Sequence, residues 1–197
     1  MDLQNKYATF LLNINKLIYL RKSSNYKLVI ESIIRDLKKF SDNIVTLNPP
    51  VDPMLIIKFE KKYQLELPND YKYLLSQSNG INLMGDEVLG ITFSNYGYDI
   101  ASTYEFEHFN VQIPQFDYLI PFSPDGGGNF YCFDTSKKTN NGNSCKIVFW
   151  CSNYEYSETD EPEITHDNLS DFISECIIGW TLEDYNYDGS RKVTDNE

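Results

Sequence analysis

The chain has 197 residues, 41% of them hydrophobic and 15% aromatic, which is enough for one domain with a core and argues against global disorder. Its formal net charge of −12 excludes nucleic acid as a partner, because phosphate binding requires Lys and Arg. No apolar run approaches the roughly 18 residues of a membrane helix, and the first twenty residues lack a signal-peptide pattern. We therefore expect a cytoplasmic protein that binds no membrane.

Two amphipathic helices are predicted at the start of the chain. Apolar residues alternate at spacings of four and three over residues 3–20 and again over residues 26–40, which is the period of a helix with one apolar face. A short polar link over residues 22–25 joins them, so we expect a helical hairpin within residues 1–48. Its apolar stripe packs either on the rest of the chain or against a second copy, which leaves a monomer or a homodimer.

The main domain is predicted to span residues 52–180, after Asn48-Pro49-Pro50. Helices are expected over 53–63 and 65–80, since Pro53 suits a first helical turn and Asn79-Gly80 suits a helix end. Aromatic and β-branched runs predict strands over 87–93, 117–122, 129–134 and 146–151.

The remaining segments are assigned by polarity and period. Residues 135–145 are polar and are expected to form a hairpin loop. Residues 168–179 carry an apolar face and are expected to form the last helix. Residues 181–197 have little apolar content and are expected to form an acidic, frayed tail.

The stretch PFSPDGGGNFYCFD, residues 121–134, contains three consecutive glycines. A phosphate loop would need a Lys and a following helix, and a dinucleotide fingerprint would need G-x-G-x-x-G before a helix. Here Asn129 and a predicted strand follow the glycines, and Asp125 would repel a phosphate. The stretch is therefore interpreted as a turn between two strands, and no cofactor is expected.

Neither metal binding nor catalysis is predicted. The four cysteines form no C-x-x-C pair and are expected to be buried thiols rather than zinc ligands. His108 and His166 are the only imidazoles, no G-x-S-x-G elbow accompanies them, and the acidic pairs lie in polar runs that would not raise a carboxyl pKa. We therefore expect a protein that is not an enzyme.

Three motifs carry a resemblance to a known family. LPNDYKYLLSQSNG (67–80), IPFSPDGGGNFYCFD (120–134) and KIVFWCSNYEY (146–156) occur in that order before a closing helix, and together they resemble the SMI1/KNR4 family, also called the SUKH superfamily. The resemblance covers residues 52–180. It implies an α+β fold, with a twisted, mostly antiparallel sheet flanked by helices, and brings no catalytic residues with it.

The same resemblance implies a function in binding. Bacterial members of the family act as immunity proteins that bind and neutralise a cognate polymorphic toxin, often a nuclease or a deaminase, whereas fungal members regulate cell-wall assembly. The resemblance thus implies an antitoxin, and with the acidic residues described below we expect it to act on a nuclease-type toxin by stoichiometric occlusion. The alternative is an intracellular scaffold or regulator that binds other proteins.

Acidic residues point to a toxin with a basic surface as the partner. Residues 155–197 hold thirteen Asp and Glu against two Lys and Arg, and such a surface attracts basic partners. The candidate contact residues are Asp86, Glu87, Asp125, Tyr154, Glu155, Tyr156, Glu158, Asp160 and Glu161. Charge reversal at the last four acids is expected to weaken toxin binding and leave the fold intact. Alternatively, these acids only solvate loops and the tyrosines cover the edge of the core.

Overall fold

The structure is a computed structural model that describes residues 26–93, 98–157 and 159–192. The predicted helix over residues 3–20 lies outside these ranges. Within the described part of the chain, no helix is long and apolar enough to cross a membrane.

Helices and strands alternate irregularly along the chain. The helices are α1, described from residue 26 to residue 37, α2 (Pro53–Tyr63), α3 (Asn69–Gln77), α4 (Ile100–Phe109), α5 (Leu169–Phe172) and α6 (Trp180–Asp184), with a π-helical stretch Ile173–Gly179 joining the last two. The strands are β1 (Val45–Leu47), β2 (Ile81–Leu83), β3 (Asp86–Val88), β4 (Leu119–Pro124), β5 (Phe130–Thr139), β6 (Ser144–Trp150) and β7 (Glu163–His166).

Two antiparallel sheets form the centre of the protein. Strands β1, β2 and β3 form the first in that order, and β4, β5, β6 and β7 form the second. The sheets meet where β3 ends, since Leu89 N donates a hydrogen bond of 2.8 Å to Phe122 O of β4. The prediction of an α+β fold with an antiparallel sheet and flanking helices is confirmed.

The main core lies between the sheets and the helices. Phe122 and Phe133 stack with their ring centroids 4.1 Å apart, and Tyr71 and Phe172 pack against them. A smaller apolar cluster around Trp150 lies elsewhere on the second sheet. Burial of these aromatic side chains, together with the many aliphatic residues of the same core, favours the fold.

Helix α1 belongs to the main core. Ile30, Ile33, Leu37 and Phe40 are buried in it, and the Tyr73 hydroxyl donates to a Glu31 carboxylate oxygen at 2.6 Å. The apolar stripe of this predicted helix is thus used within the chain.

The predicted hairpin over residues 135–145 is present, but its loop is shorter than predicted. Strand β5 continues to Thr139, a single 3₁₀ turn spans Asn140–Gly142, and β6 starts at Ser144. The outer half of β5 is polar because it projects beyond the core, where Lys137 and Lys138 reach Glu161 and Glu66. After a register shift between Asp134 and Lys138, ladder pairs with β6 resume at Lys138 and Thr139 and keep the end of the strand extended.

The prediction of a frayed C-terminal tail is wrong for residues 181–192. The Phe40 and Tyr187 rings lie 4.8 Å apart, Ser41 N donates to Tyr187 O at 2.8 Å, and Tyr185 forms a bridge with Arg191. The aromatic rings of this otherwise polar segment therefore attach it to the end of α1. Residues 193–197 lie outside the described ranges.

Candidate partner-binding surface

The glycine run is a turn, as predicted, and it joins β4 to β5. The Asp125 carboxylate accepts hydrogen bonds from Gly127 N (2.7 Å), Asn129 N (2.9 Å) and Asn129 Nδ2 (2.7 Å). Gly126 and Gly128 have φ of 77° and 97°, which few other residues adopt without strain. The amides that a phosphate loop would offer to its ligand are therefore used by a carboxylate of the turn itself. Burial opposes ionisation of Asp125, but these hydrogen bonds outweigh it and hold its pKa below the usual value.

We expect Asp125→Ala to lower the free energy of unfolding by about 1–2 kcal/mol, because the turn loses its three side-chain hydrogen bonds. Asp125→Asn keeps one acceptor oxygen and is expected to lose less. Urea denaturation of the two variants checks this order. Equal losses would show that the negative charge, rather than the acceptor geometry, holds the turn.

Two more acids of the predicted set lie beside this turn. Asp86 and Glu87 on β3 line a cavity of about 450 Å³ together with Asp125 and the aromatic residues Tyr98 and Phe130. Burial raises the pKa of Asp86, and Glu87 accepts a hydrogen bond from Asn82 Nδ2 at 2.7 Å. The structure thus brings together Asp86, Glu87 and Asp125.

A second cavity, of about 320 Å³, adjoins the first and shares Tyr98 and Phe130 with it. Its other lining residues come from α4 and include Phe106 and Glu107. None of these α4 residues was a predicted site residue. The sequence carried no signal for them, because α4 has buried residues on several sides and no single apolar stripe.

The candidate tyrosines of the acidic loop, residues 153–161, have different roles. Tyr156 stacks on Trp150 with ring centroids 4.2 Å apart, and its hydroxyl oxygen accepts a hydrogen bond from Cys151 N at 3.0 Å. Tyr154 is exposed, and its hydroxyl donates to Asp160 at 3.2 Å. Tyr156 therefore anchors the loop to the smaller apolar cluster, and Tyr154 faces solvent.

The acids of the same loop also divide by role. Asp160 accepts hydrogen bonds from Ser157 N (2.9 Å) and the Tyr154 hydroxyl, and the bond from Ser157 is the main reason why its pKa is lowered. Glu161 forms an ion pair with Lys137 at 2.6 Å, and Glu155 is exposed. Glu158 lies outside the described residues.

One hydrogen bond connects the loop with the glycine turn. Ser152 N, at the start of the loop, donates to Asn129 Oδ1 at 3.0 Å, and Asn129 in turn donates to Asp125. The loop therefore starts beside the turn that carries Asp125.

The two histidines occupy unreactive surroundings. The ring nitrogens of buried His108 lie 3.0 Å and 3.3 Å from the carbonyl oxygens of Tyr104 and Phe116, and burial lowers its pKa. His166 Nε2 lies 3.6 Å from Cys176 Sγ, but burial raises the pKa of that thiol to about 12. A nucleophilic cysteine requires a lowered pKa, so this pair does not have the properties of a catalytic dyad.

The cysteines are all free thiols. Cys132, Cys145 and Cys176 are buried, as predicted, whereas Cys151 is partly exposed. Among the described residues, no group of three or more His, Cys, Asp or Glu side chains is arranged to hold a metal ion.

The protein has an α+β architecture in which two adjoining antiparallel sheets are covered by helices. The model of the SMI1/KNR4 family (SUKH-1) matches residues 50–175, and the chain belongs to that family. The family is associated with immunity proteins, and its members are generally not enzymes.

A solved structure shows a similar fold. The crystal structure of a protein from Pseudomonas syringae pv. tomato matches with a TM-score of 0.51 and 14% sequence identity, over 74% of this chain and 96% of that one. No curated protein matches the chain.

Proposed function

We propose that this protein is an immunity protein that binds a cognate bacterial polymorphic toxin, of nuclease type, and neutralises it by stoichiometric occlusion without turnover. Membership of the SMI1/KNR4 family supports the general role. The observation that carries the proposal is the acidic surface on which Asp86, Glu87 and Asp125 share one cavity and from which the acidic loop starts.

The chemistry of this surface suits a basic cleft. Nucleases bind phosphates with Lys and Arg, and a protein that presents carboxylates can occupy the same cleft and speed its own association electrostatically. Exposed Tyr154 offers a large amphipathic contact of the kind that contributes strongly to protein interfaces. No cofactor or metal takes part in this mechanism.

The proposed contact acids differ in how well they suit a charge test. Asp160 holds the loop together through Ser157 N, so its replacement would disturb the loop as well as the charge. Glu155 and Glu161 are exposed, and the ion pair of Glu161 with Lys137 contributes little to stability because solvent screens it. These two residues are the better positions for a charge test.

The experiment that tests the function begins with capture from a lysate of the source organism, with the full chain as bait. The captured partner is identified and expressed alone and together with this protein. We expect one dominant, stoichiometric partner with a basic terminal domain, which is toxic alone and harmless when the two are expressed together. Several weak, non-toxic partners would instead support a regulatory scaffold and refute the immunity role.

We expect Glu155→Lys/Glu161→Lys to weaken toxin binding about tenfold at low salt, since charge reversal turns attraction into repulsion, and to matter less at high salt. The matched control is Asp42→Lys/Glu183→Lys, which changes the net charge equally at exposed positions outside the loop. Isothermal titration at two salt concentrations measures both. Equal weakening by the two variants would mean that total charge, rather than this loop, determines affinity.

A further inference from the structure

We infer that the groove formed by the two adjoining cavities docks a partner segment in which a Lys or Arg lies next to a large apolar side chain. This inference rests on the proposed function for the source of the segment, the toxin. The groove, called here the α4 groove, lies between α4 and the β4–β5 turn, with Tyr98 and Phe130 common to both halves.

The half of about 320 Å³ is predominantly apolar. Phe130 is buried, while Tyr98 and Phe106 have 68% and 55% of their surface exposed. Leaving aromatic side chains this exposed forgoes the favourable free energy of burial. Aromatic residues in a concave site are typical anchors for a partner side chain. This half therefore accommodates one large apolar residue.

The half of about 450 Å³ is acidic. Asp86, Glu87 and Asp125 line it, and within the described part of the chain none of the three takes part in an ion pair. A partner cation placed there would lie near three acidic residues without breaking an existing ion pair. This half therefore favours a Lys or Arg side chain.

A further carboxyl group, that of Glu107, lies beneath the apolar half. Glu107 lines that cavity with only 5% of its surface exposed, and burial raises the pKa of its carboxyl. Among the described ion pairs it has no cationic partner. The three acids of the other half disfavour acidic peptides, nucleic acid and a second copy of this acidic chain, so charge complementarity selects a basic segment.

The first test uses the isotopically labelled full chain and three synthetic peptides, Gly-Lys-Trp-Lys-Gly, Gly-Lys-Ser-Lys-Gly and Gly-Glu-Trp-Glu-Gly. We expect saturable NMR shifts for the first peptide at the amides of residues 85–87, 102–107 and 125–130, and affinity at least about tenfold lower for the other two. Shifts located elsewhere would overturn the inference. Equal binding of the Trp and Ser peptides would also overturn it, because charge alone would then be sufficient.

Variants test whether the groove itself, rather than the exposed surface of α4 in general, binds the peptide. The double variant Tyr98→Ser/Phe106→Ser is expected to bind the Gly-Lys-Trp-Lys-Gly peptide with an affinity lower by about tenfold or more. Phe109→Ser is the control, because Phe109 is also an exposed aromatic residue of α4 but does not line the groove. Unchanged peptide affinity in the double variant, or an equal loss in the control, would overturn the inference.

The same variants distinguish failure of the groove from failure of the proposed function. If the captured toxin is neutralised equally well by the double variant, the groove inference is refuted and the immunity role stands. If no toxin is captured but the peptide binds and loses affinity in the double variant, the groove stands and the toxin is not its partner.

Discussion

Replacing Asp99 by Ala is expected to lower the free energy of unfolding by about 3–5 kcal/mol. Asp99 has 2% of its surface exposed. Its Oδ2 accepts hydrogen bonds from Thr92 N (2.9 Å), Thr92 Oγ1 (2.6 Å) and Phe93 N (2.7 Å). Its Oδ1 accepts from Ser102 N at 2.7 Å and so caps the first turn of α4. Alanine removes the acceptor of all four hydrogen bonds at a buried site.

The matched control is Asp52→Ala. Asp52 also caps a helix, α2, but it is exposed and accepts a single bond from Met54 N at 2.9 Å, so we expect a loss of about 1 kcal/mol. Urea denaturation measures both variants. A loss of about 1 kcal/mol at both positions would show that Asp99 acts as an ordinary cap and that its bonds to residues 92 and 93 add nothing.

The contribution of Asp99 depends on pH. Burial opposes its ionisation, but the hydrogen bonds from Thr92 and Ser102 outweigh burial and lower its pKa in the folded state. A lowered folded-state pKa means that the stabilisation is present above the unfolded-state value near 3.8 and is lost as pH falls through the folded-state value. The stability difference between wild type and Asp99→Ala should therefore narrow in strong acid.

Local signals made part of the fold predictable. Pro53 and Asn79-Gly80 lie near the ends of α2 and α3, and aromatic and β-branched runs mark the buried parts of β4, β5 and β6. The strand predicted over 87–93 is mostly wrong, since only residues 87 and 88 belong to β3, and β1, β2 and β3 have three residues each. Such short segments contain no period, and they are extended only because neighbouring strands supply their hydrogen bonds.

The residues of the candidate surface were likewise predictable only in part. Asp125 could be placed from the sequence because its turn follows from the glycines and the flanking strands. The proximity of Asp86 to that turn depends on how β3 meets β4, which no local pattern predicts. Tyr98 and Phe106 were missed because their position depends on the packing of α4. The role of Tyr156 depends on its stacking with Trp150, which joins parts of the chain that a local pattern does not relate.

Replacing Asp70 by Asn is expected to make the protein more stable at neutral pH, by up to about 3 kcal/mol relative to wild type. Asp70 has 3% of its surface exposed and forms no ion pair among the described residues. Burial raises its pKa from 3.8 to about 6. Its Oδ1 accepts a hydrogen bond from Tyr71 N at 2.8 Å, which an amide oxygen can also accept.

The Ser144 hydroxyl modifies this site. It has no partner at hydrogen-bond distance within the described residues, yet it lies close enough to the Asp70 carboxyl to oppose part of the rise in pKa. Burial is the larger effect, so the ionised carboxylate remains unfavourable in the folded state. An Asn side chain removes the charge and keeps the volume.

The sign of the pH dependence follows from the raised pKa. The protonated carboxyl is favoured by folding, so the contribution of Asp70 to stability is fully present below the unfolded-state pKa near 3.8 and is lost as pH rises through about 6. Wild type should therefore lose stability relative to Asp70→Asn between about pH 4 and pH 7. Urea denaturation of both proteins across this pH range measures the difference in their free energies of unfolding. The contributions of the other titrating groups are the same in both proteins and cancel in this difference.

Asp125→Asn provides a control of opposite sign. The pKa of Asp125 is lowered in the folded state, so wild type should lose stability relative to Asp125→Asn as the solution becomes more acidic. Opposite slopes for the two pairs would show that burial controls Asp70 and hydrogen bonding controls Asp125. If the stability difference between wild type and Asp70→Asn does not change with pH, burial does not control the Asp70 carboxyl. Water or a conformational adjustment would then solvate the carboxylate and cancel the effect of burial.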